Sequence, residues 1–169
     1  DKLKQMQDLF YAEAKKHDVL PLDNSSLTRW NAPKPNLTGG RKVFTYAGAM
    51  TGIPNSGAPS ILNKAYVITA EVTIPKGGGE GMIVTDGGRF GGYALFLSKG
   101  VGGIRKGKPV FLYNLLNLKR TVWAGPELSP GKHTIVFEFT PAAPGLGKGG
   151  TGVLKVDGKE VARNTMENS

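Results

Sequence analysis

The first part of the chain carries apolar side chains at three- and four-residue steps. These apolar positions are Leu3, Met6, Phe10 and Ala14. Because an α-helix has 3.6 residues per turn, side chains at this spacing lie on one face, and good helix formers occupy the positions between them. The pattern predicts an amphipathic helix from Lys2 to His17.

A connector without regular structure is predicted after this helix. Pro21 ends the helical pattern, since proline lacks the amide hydrogen that a helix interior requires. From Leu20 to about Arg41, prolines, asparagines and a glycine pair interrupt every periodic run. We therefore place residues 1–41 in a helix with an extended connector, and residues 42–169 in a separate domain.

Short runs of β-branched and aromatic residues, separated by glycine and proline turns, make up the rest of the chain. Apolar and polar side chains alternate most clearly from Ala70 to Ile74 and from Ile135 to Phe139. A period of two predicts strands with one buried and one solvated face. The predicted strands are 43–47, 66–74, 82–85, 93–98, 109–115, 120–124, 133–139, 152–156 and 159–164.

The nine predicted strands favour a sandwich of two antiparallel sheets. Asp157-Gly158, which separates two of them, is a strong hairpin signal because a type I′ turn needs positive φ at both central residues. The length of 169 residues suits one domain with one core, and the 25 glycines and 11 prolines suit a turn-rich protein. We therefore expect a mainly β fold that is preceded by one N-terminal α-helix and an extended connector.

Composition excludes or disfavours several classes of function. The chain has no cysteine, which excludes disulfides, thiolate metal sites and a cysteine nucleophile. It has no apolar run of about eighteen residues, and we expect no membrane partner. The 22 basic residues exceed the 13 acidic ones, and the net charge of +9 favours anionic partners. Since the chain begins at Asp1 without an initiator methionine, we expect a processed product or a piece of a longer protein.

Sequence motifs for catalysis are sparse. His17 and His133 are the two histidines, so a histidine metal site or a Ser-His-Asp triad would depend on one imidazole. The segment 145–150 matches G-x-G-x-x-G, but it leads into a strand instead of a helix, and we interpret it as a loop. Glu71 and Glu138 stay open as a glycosidase pair on a sandwich, against the interpretation that both are solvated strand residues.

A stretch without acidic residues runs from Gly87 to Pro126 and contains seven basic residues. Successive strands of a sandwich are usually neighbours, so some of these charges should share a face and create a positive field. Two interpretations stay open, a solvated face that aids solubility and a binding site for a polyanion. No DNA- or RNA-binding motif is present, so we expect no nucleic-acid partner. The candidate residues for anionic-ligand binding are Arg89, Arg105, Lys106, Lys108, Lys119 and Arg120, with Phe90, Tyr93 and Trp123 as candidate aromatic contacts.

Five groups of segments follow one another in an order that is similar to a known family. They are Lys2–Lys4, Asp8–Phe10, Glu13–Lys16 and Val19–Leu22; Phe44–Tyr46, Met50 and Ile53-Pro54; Gly87–Tyr93; Lys108–Val110 and Tyr113-Asn114; and Gly145–Gly150 with Val156–Lys159. Together they resemble the C-terminal region of bacterial arylsulfatases, which are formylglycine-dependent sulfatases of the alkaline-phosphatase-like superfamily.

The resemblance implies a concanavalin-like jelly roll for residues 42–169 and the end of a catalytic domain for residues 1–41. It implies a noncatalytic domain that packs within a sulfatase, a sulfuric ester hydrolase, or holds its anionic, sulfated substrate. The expected partners are that catalytic domain in the same polypeptide and a sulfated polysaccharide, in a periplasmic or secreted enzyme. Such a parent uses formylglycine and a divalent metal ion, Ca or Mg.

This chain lacks the C/S-x-P-x-R motif from which the sulfatase nucleophile is made, so we assign it no catalytic, cofactor-binding or metal-binding residue. Two alternatives stay open, an independent lectin-like carbohydrate-binding module and a β-sandwich glycosidase. An upstream reading frame containing the motif would favour the sulfatase, whereas the glycosidase requires two facing carboxylates in a cleft.

Overall fold

The computed structural model describes residues 1–22, 24–100 and 106–168, with the side chains of residues 29–31 excepted. The chain divides into two compact units, Asp1–Pro59 and Ser60–Ser169. The predicted boundary after residue 41 lies inside the first unit. All strands of the described chain belong to the second unit.

The first unit begins with the predicted amphipathic helix, α1, which spans Lys2–Lys16. The Asp1 carboxylate accepts a hydrogen bond from the Leu3 amide at 3.1 Å and caps the helix N-terminus. Lys15 and Lys16 lie in the last turn, where the helix dipole favours positive charge. The helix prediction is therefore confirmed.

Two predictions for the segment after α1 are wrong. Residues Ser26–Asn31 form a short helix, α2, where we expected no regular structure. These six residues contain neither glycine nor proline, and Ser25 occupies the N-cap position, for which serine is favoured. The predicted strand at 43–47 is not formed, because a strand needs a hydrogen-bonded partner and every strand pair of the described chain lies in the second unit.

In the residues that the structure describes, the second unit has eight strands in two antiparallel sheets. The strands are β1 Tyr66–Ile74, β2 Gly81–Gly88, β3 Gly91–Leu97, β4 Pro109–Leu115, β5 Lys119–Ala124, β6 Gly131–Pro141, β7 Gly150–Val156 and β8 Lys159–Met166. One sheet has the order β1-β6-β7-β8 and the other the order β2-β3-β4-β5. Eight of the nine predicted strands are present, and the prediction of a mainly β fold with two antiparallel sheets is confirmed.

The predicted hairpin turn at Asp157-Gly158 joins β7 to β8. Both residues have positive φ, 49° and 78°, as a type I′ turn requires. The Asp157 carboxylate also accepts a hydrogen bond from the Thr134 amide at 2.9 Å, which ties the turn to strand β6. The turn prediction is confirmed.

Aromatic side chains from both sheets meet in the core. The rings of Phe111 and Phe137 stack with their centroids 3.5 Å apart, and Trp123 packs edge-on against both. Trp123 Nε1 donates a hydrogen bond to the Gly152 carbonyl at 2.8 Å, so the indole joins β5 to β7. The two sheets therefore pack against each other as a sandwich. In one sheet, β2 to β5 follow one another as hairpins, and in the other β6 to β8 do so, with β1 beside β6. The more specific assignment to a jelly roll stays a prediction.

Candidate functional site

Two hairpin turns lie side by side at one end of the sandwich. Strands β3, β4 and β5 pair so that Gly92 lies opposite Asn114, and Asn114 lies opposite Arg120. This register places the β2–β3 turn beside the β4–β5 turn. We call these two turns, residues 88–91 and 114–120, the hairpin end.

The side chain of Asn114 holds the two turns together. Its Nδ2 donates hydrogen bonds to the carbonyls of Gly88 at 3.2 Å and Arg89 at 3.0 Å, and its Oδ1 accepts one from the Asn117 amide at 3.2 Å. Only 6% of Asn114 is exposed, so these bonds replace hydrogen bonds to water. Sequence reasoning missed this residue, although an asparagine among the apolar and aromatic residues of β4 is a signal for such a role.

Arg89 and Arg120 are the uncompensated positive charges of the hairpin end. Within the described residues, neither guanidinium has a carboxylate oxygen within 4.0 Å. The Arg89 guanidinium lies 5.7 Å from the ring centroid of Phe90, a side chain that is 72% exposed. Arg120 Nη2 donates a hydrogen bond to the Asn117 side-chain oxygen at 3.1 Å. Both guanidinium groups are therefore positioned by neighbours and available to an anion.

Lys119, in the same turn, is compensated by an acidic residue. Its Nζ lies 2.8 Å from a carboxylate oxygen of Glu167, and this hydrogen bond lowers the pKa of the Glu167 carboxyl group. Both side chains are largely exposed, so the ion pair contributes little to stability. Lys119 therefore adds less positive field than its neighbour Arg120.

Two further candidate cations, Lys106 and Lys108, lie at the opposite end of the sandwich, in the connection between β3 and β4. Lys106 pairs with Glu80 at 3.6 Å, and Lys108 directly precedes β4. Arg105 lies outside the described residues. The seven residues of β4 separate the two groups of cations by roughly 20 Å, so the basic stretch forms two groups instead of one face.

One of the three candidate aromatic contacts lies on the surface. Tyr93 is 7% exposed and Trp123 is 1% exposed, because both point inward from their strands into the core. Their ring faces are covered, and we assign these two residues to packing instead of ligand contact. Phe90 lies in a turn, outside the alternation of a strand, and its ring is the one that a ligand can reach.

A second cluster of polar side chains surrounds His133 in β6. Its Nδ1 lies 2.7 Å from a carboxylate oxygen of Asp157, and its Nε2 lies 2.9 Å from the Ser129 carbonyl and 3.4 Å from the Ser129 hydroxyl. The hydrogen bond to Asp157, followed by the one to Ser129, raises the pKa of the imidazole. The Thr134 amide, followed by the imidazole, lowers the pKa of the Asp157 carboxyl group.

This cluster contains the residue types of a Ser-His-Asp triad but not its geometry. A triad imidazole offers a lone pair at Nε2 to the serine hydroxyl. Here the Asp157 carboxylate and the Ser129 carbonyl are both acceptors, so the two contacts favour the protonated form of His133, an imidazolium with hydrogen on both ring nitrogens. The imidazolium connects the segment before β6 to the β7–β8 turn, which is a structural role.

The glycosidase pair considered from the sequence does not face a common site. Glu71 of β1 lies opposite Thr134 of β6. Glu138 comes four residues after Thr134 in the same strand. Four residues of a strand span about 13 Å between Cα atoms, so the two carboxyl groups reach the glycosidase separation of about 5–9.5 Å only when both side chains lean toward each other. Both Glu138 oxygens also accept hydrogen bonds from Lys155, at 2.8 and 2.7 Å. Glu138 is therefore occupied by a neighbouring cation on its own sheet.

A small, partly open space is lined by Tyr66, Tyr113 and Met166 in the second unit. It measures about 20 Å³, whereas small-molecule sites usually measure about 300–1,000 Å³. Burial raises the pKa of the Tyr66 hydroxyl far above its usual value, so the phenol keeps its proton. This cavity is too small to be a candidate active site.

The described residues contain no group of three His, Cys, Asp or Glu side chains that could hold a metal ion. In the same part of the chain, no helix is both long enough and apolar enough to cross a membrane. No protein-family model, curated protein or solved structure matches the chain. A functional proposal therefore depends on the hairpin end, with its two available arginines and its exposed aromatic ring.

Proposed function

We propose that this chain is a noncatalytic β-sandwich domain that holds an anionic, sulfated polysaccharide at its hairpin end. The observation that carries the proposal is the link made by Asn114, which holds the turn of Arg89 and the exposed Phe90 ring next to the turn that leads into Arg120. The resemblance to bacterial arylsulfatases suggests the sulfated class of ligand, and the net charge of +9 favours polyanions in general.

The proposed contacts follow from the chemistry of the two partners. A guanidinium group presents planar, permanently charged donors that bind sulfate oxygens as they bind phosphate and carboxylate oxygens. An aromatic side chain offers a large apolar face against which the apolar face of a sugar ring packs. Two arginines and one ring on neighbouring turns therefore match a polymer that carries sulfate groups on sugar rings.

Two double variants with the same change of net charge test the proposal. Arg89→Ser/Arg120→Ser removes two charges from the hairpin end, and Lys106→Ser/Lys108→Ser removes two from the opposite end. On a heparin column we expect the arginine variant to elute at clearly lower salt than the lysine variant, because its binding releases fewer counterions. Equal elution of the two variants would mean that net charge alone causes retention, and would refute a site at the hairpin end.

The wider role is proposed from the resemblance. The sandwich would belong to a periplasmic or secreted sulfatase whose catalytic domain, in the same polypeptide, supplies formylglycine and a Ca or Mg ion. An independent lectin-like module would use the same surface, and it is distinguished by an open reading frame that contains no C/S-x-P-x-R motif. A glycosidase is not proposed, because both carboxylate oxygens of Glu138 are bound to Lys155.

A further inference from the structure

Large apolar side chains are exposed in the loops around the hairpin end. They are Leu62, Phe90, Leu116, Leu118 and Leu146, and we call them the apolar tips. At the opposite end of the second unit, within the described residues, Met82 is the one comparable side chain. Single exposed leucines are ordinary on protein surfaces, but several on adjacent loops mark an interaction surface.

Hydrogen bonds place Phe90, Leu116 and Leu118 in one neighbourhood. Asn114 bonds to the backbone of both turns, the one that carries Phe90 and the one formed by residues 116–118. In the second turn, Lys119 binds Glu167, which directly follows β8. The end of β8 therefore lies against the hairpin end.

The other two tips reach the same region through the end of β8. Leu146 lies in the loop between β6 and β7, and Gly150, where β7 begins, pairs with Met166 at the end of β8. Leu62 precedes β1 and lines the small cavity that Met166 also lines. All five tips therefore belong to loops at one end of the sandwich.

The backbone at Leu116 is unusual for an apolar residue. Its φ is 49°, in the left-handed region, and that of Asn117 is 58°. Glycine and asparagine suit this conformation, whereas a leucine side chain is disfavoured there. The Leu116 side chain is also exposed. Neither the conformation of the turn nor packing within the domain therefore explains why a leucine occupies this position. A strained residue that gains nothing from folding indicates a role in binding.

Positive side chains surround the apolar tips. The cations in and beside these loops are Lys64, Arg89, Lys119, Arg120 and Lys148. Glu167 is the acidic residue in the described part of the same loops, and it is bound to Lys119. The surface therefore combines apolar side chains that gain from leaving water with a positive field that attracts anionic groups.

We propose that the hairpin end docks on anionic lipid bilayers. The apolar tips enter the boundary between head groups and acyl chains, and the surrounding lysines and arginines contact lipid phosphates. The five tips lie on four separate loops, and a fluid bilayer accepts separate side chains without a matching set of pockets. Because the charged side chains around the apolar tips are mainly positive, they favour an anionic lipid surface over a neutral one.

This proposal goes beyond polysaccharide binding, because a sugar ring offers one flat apolar face for an aromatic ring and no apolar interior that leucine side chains on separate loops could enter. It also replaces the expectation of no membrane partner. That expectation depended on the lack of a long apolar run, which is a property of spanning segments and not of loops that enter the interface.

Cosedimentation of the full chain with vesicles tests the proposal. We expect binding to phosphatidylcholine vesicles that contain phosphatidylserine and much weaker binding to phosphatidylcholine alone, because the cations supply part of the attraction. The variant Leu116→Asn/Leu118→Ser should bind at least about tenfold more weakly, since burial of one leucine side chain is worth about that factor. Asparagine suits the left-handed position, so this variant is expected to fold.

Met82→Ser is the matched control, because it removes an exposed apolar side chain from the opposite end and should leave vesicle binding unchanged. A second variant, Leu62→Ser/Leu146→Ser, changes apolar tips that lie outside the two turns of the hairpin end. It should also weaken vesicle binding but keep its retention on heparin, which separates this proposal from the proposed function. Wild-type protein that is retained on heparin but does not bind the anionic vesicles would overturn the membrane proposal alone. An equal loss of binding in the Met82 and leucine variants would overturn it as well.

The oligomeric state of the wild-type chain supplies a further outcome. A wild-type oligomer that the leucine substitutions convert into monomers, without any binding to anionic vesicles, would assign the apolar tips to a second copy of the chain. That result would also overturn the membrane proposal.

Discussion

The lack of a side chain at Gly152 lets the two sheets come close together. A Cβ atom at this position would lie 2.6 Å from the Trp123 ring and 2.8 Å from the Phe137 ring. The indole can therefore approach β7 closely enough to donate a hydrogen bond to the Gly152 carbonyl. A larger residue here would have to separate the sheets or displace two core rings.

Gly152→Ala should lower the free energy of unfolding by about 1–3 kcal/mol, the usual cost of overpacking a core. Urea unfolding followed by circular dichroism measures this difference. Gly77→Ala is the matched control, since no atom lies within 4 Å of a Cβ built there. Equal effects of the two substitutions would contradict the packing role of Gly152.

The His133 cluster gives the stability of the protein a pH dependence with a definite sign. Hydrogen bonds raise the folded-state pKa of His133 above its ordinary value of 6.5, so its contribution is complete below that pH and is lost as pH rises through the folded pKa. The folded-state pKa of Asp157 lies below its ordinary value of 3.8, so its contribution is present above that pH and is lost on acidification. The cluster is most stabilising between these two ordinary values.

The wild-type chain should therefore lose stability relative to His133→Gln between about pH 6 and about pH 8. Glutamine cannot become a cation, so the variant lacks the part of the pH dependence that comes from the imidazole. The measurement is the urea midpoint of both proteins at the two pH values. A difference between the proteins that does not change with pH would show that His133 is not the titrating group.

Among the structural elements, the paired hairpins β2–β3 and β4–β5 are those that position the candidate site. Asn114 links their turns through three hydrogen bonds to backbone groups. Removal of a buried partner leaves such groups unpaired and costs about 1–3 kcal/mol. The link therefore bears on stability and on the placement of Arg89.

Asn114→Ala should destabilise the domain by about 1–2 kcal/mol and reduce retention on heparin without changing any charge. Asn164→Ala is the control, since Asn164 donates to the Val122 carbonyl from an exposed position in β8. The measurements are the thermal midpoint and the eluting salt concentration. Heparin retention that survives the loss of Asn114 would show that the turn geometry does not matter for binding.

Strands were the elements that the sequence predicted best. A strand can be recognised from its own residues, because apolar and polar side chains alternate along it. The observed bounds of β1 and β4 are the predicted ones. The predicted strand at 43–47 failed because pairing requires a partner, which local pattern does not reveal. The helix α2 was missed because prolines flank it on both sides. They predicted an irregular connector, and six residues are too few to show a helical period.

At the scale of the whole molecule, the candidate site was only partly predictable. The basic and aromatic residues were visible in the sequence as one stretch, but the strand register distributes the cations between two ends of the sandwich. Tyr93 and Trp123 are core residues because they occupy positions of β3 and β5 whose side chains point inward. Neither property can be read from residue types, since both depend on pairing between strands.

The central claim is that the hairpin end holds a sulfated chain, and an NMR titration tests it most directly. The isotope-labelled protein is titrated with a heparin-derived oligosaccharide, and each amide reports on its own surroundings. We predict shifts at residues 88–91 and 114–120, including the side-chain amide of Asn114, and little change at residues 106–108. Shifts spread over all exposed lysines and arginines, or confined to residues 106–108 and their neighbours, would contradict the claim.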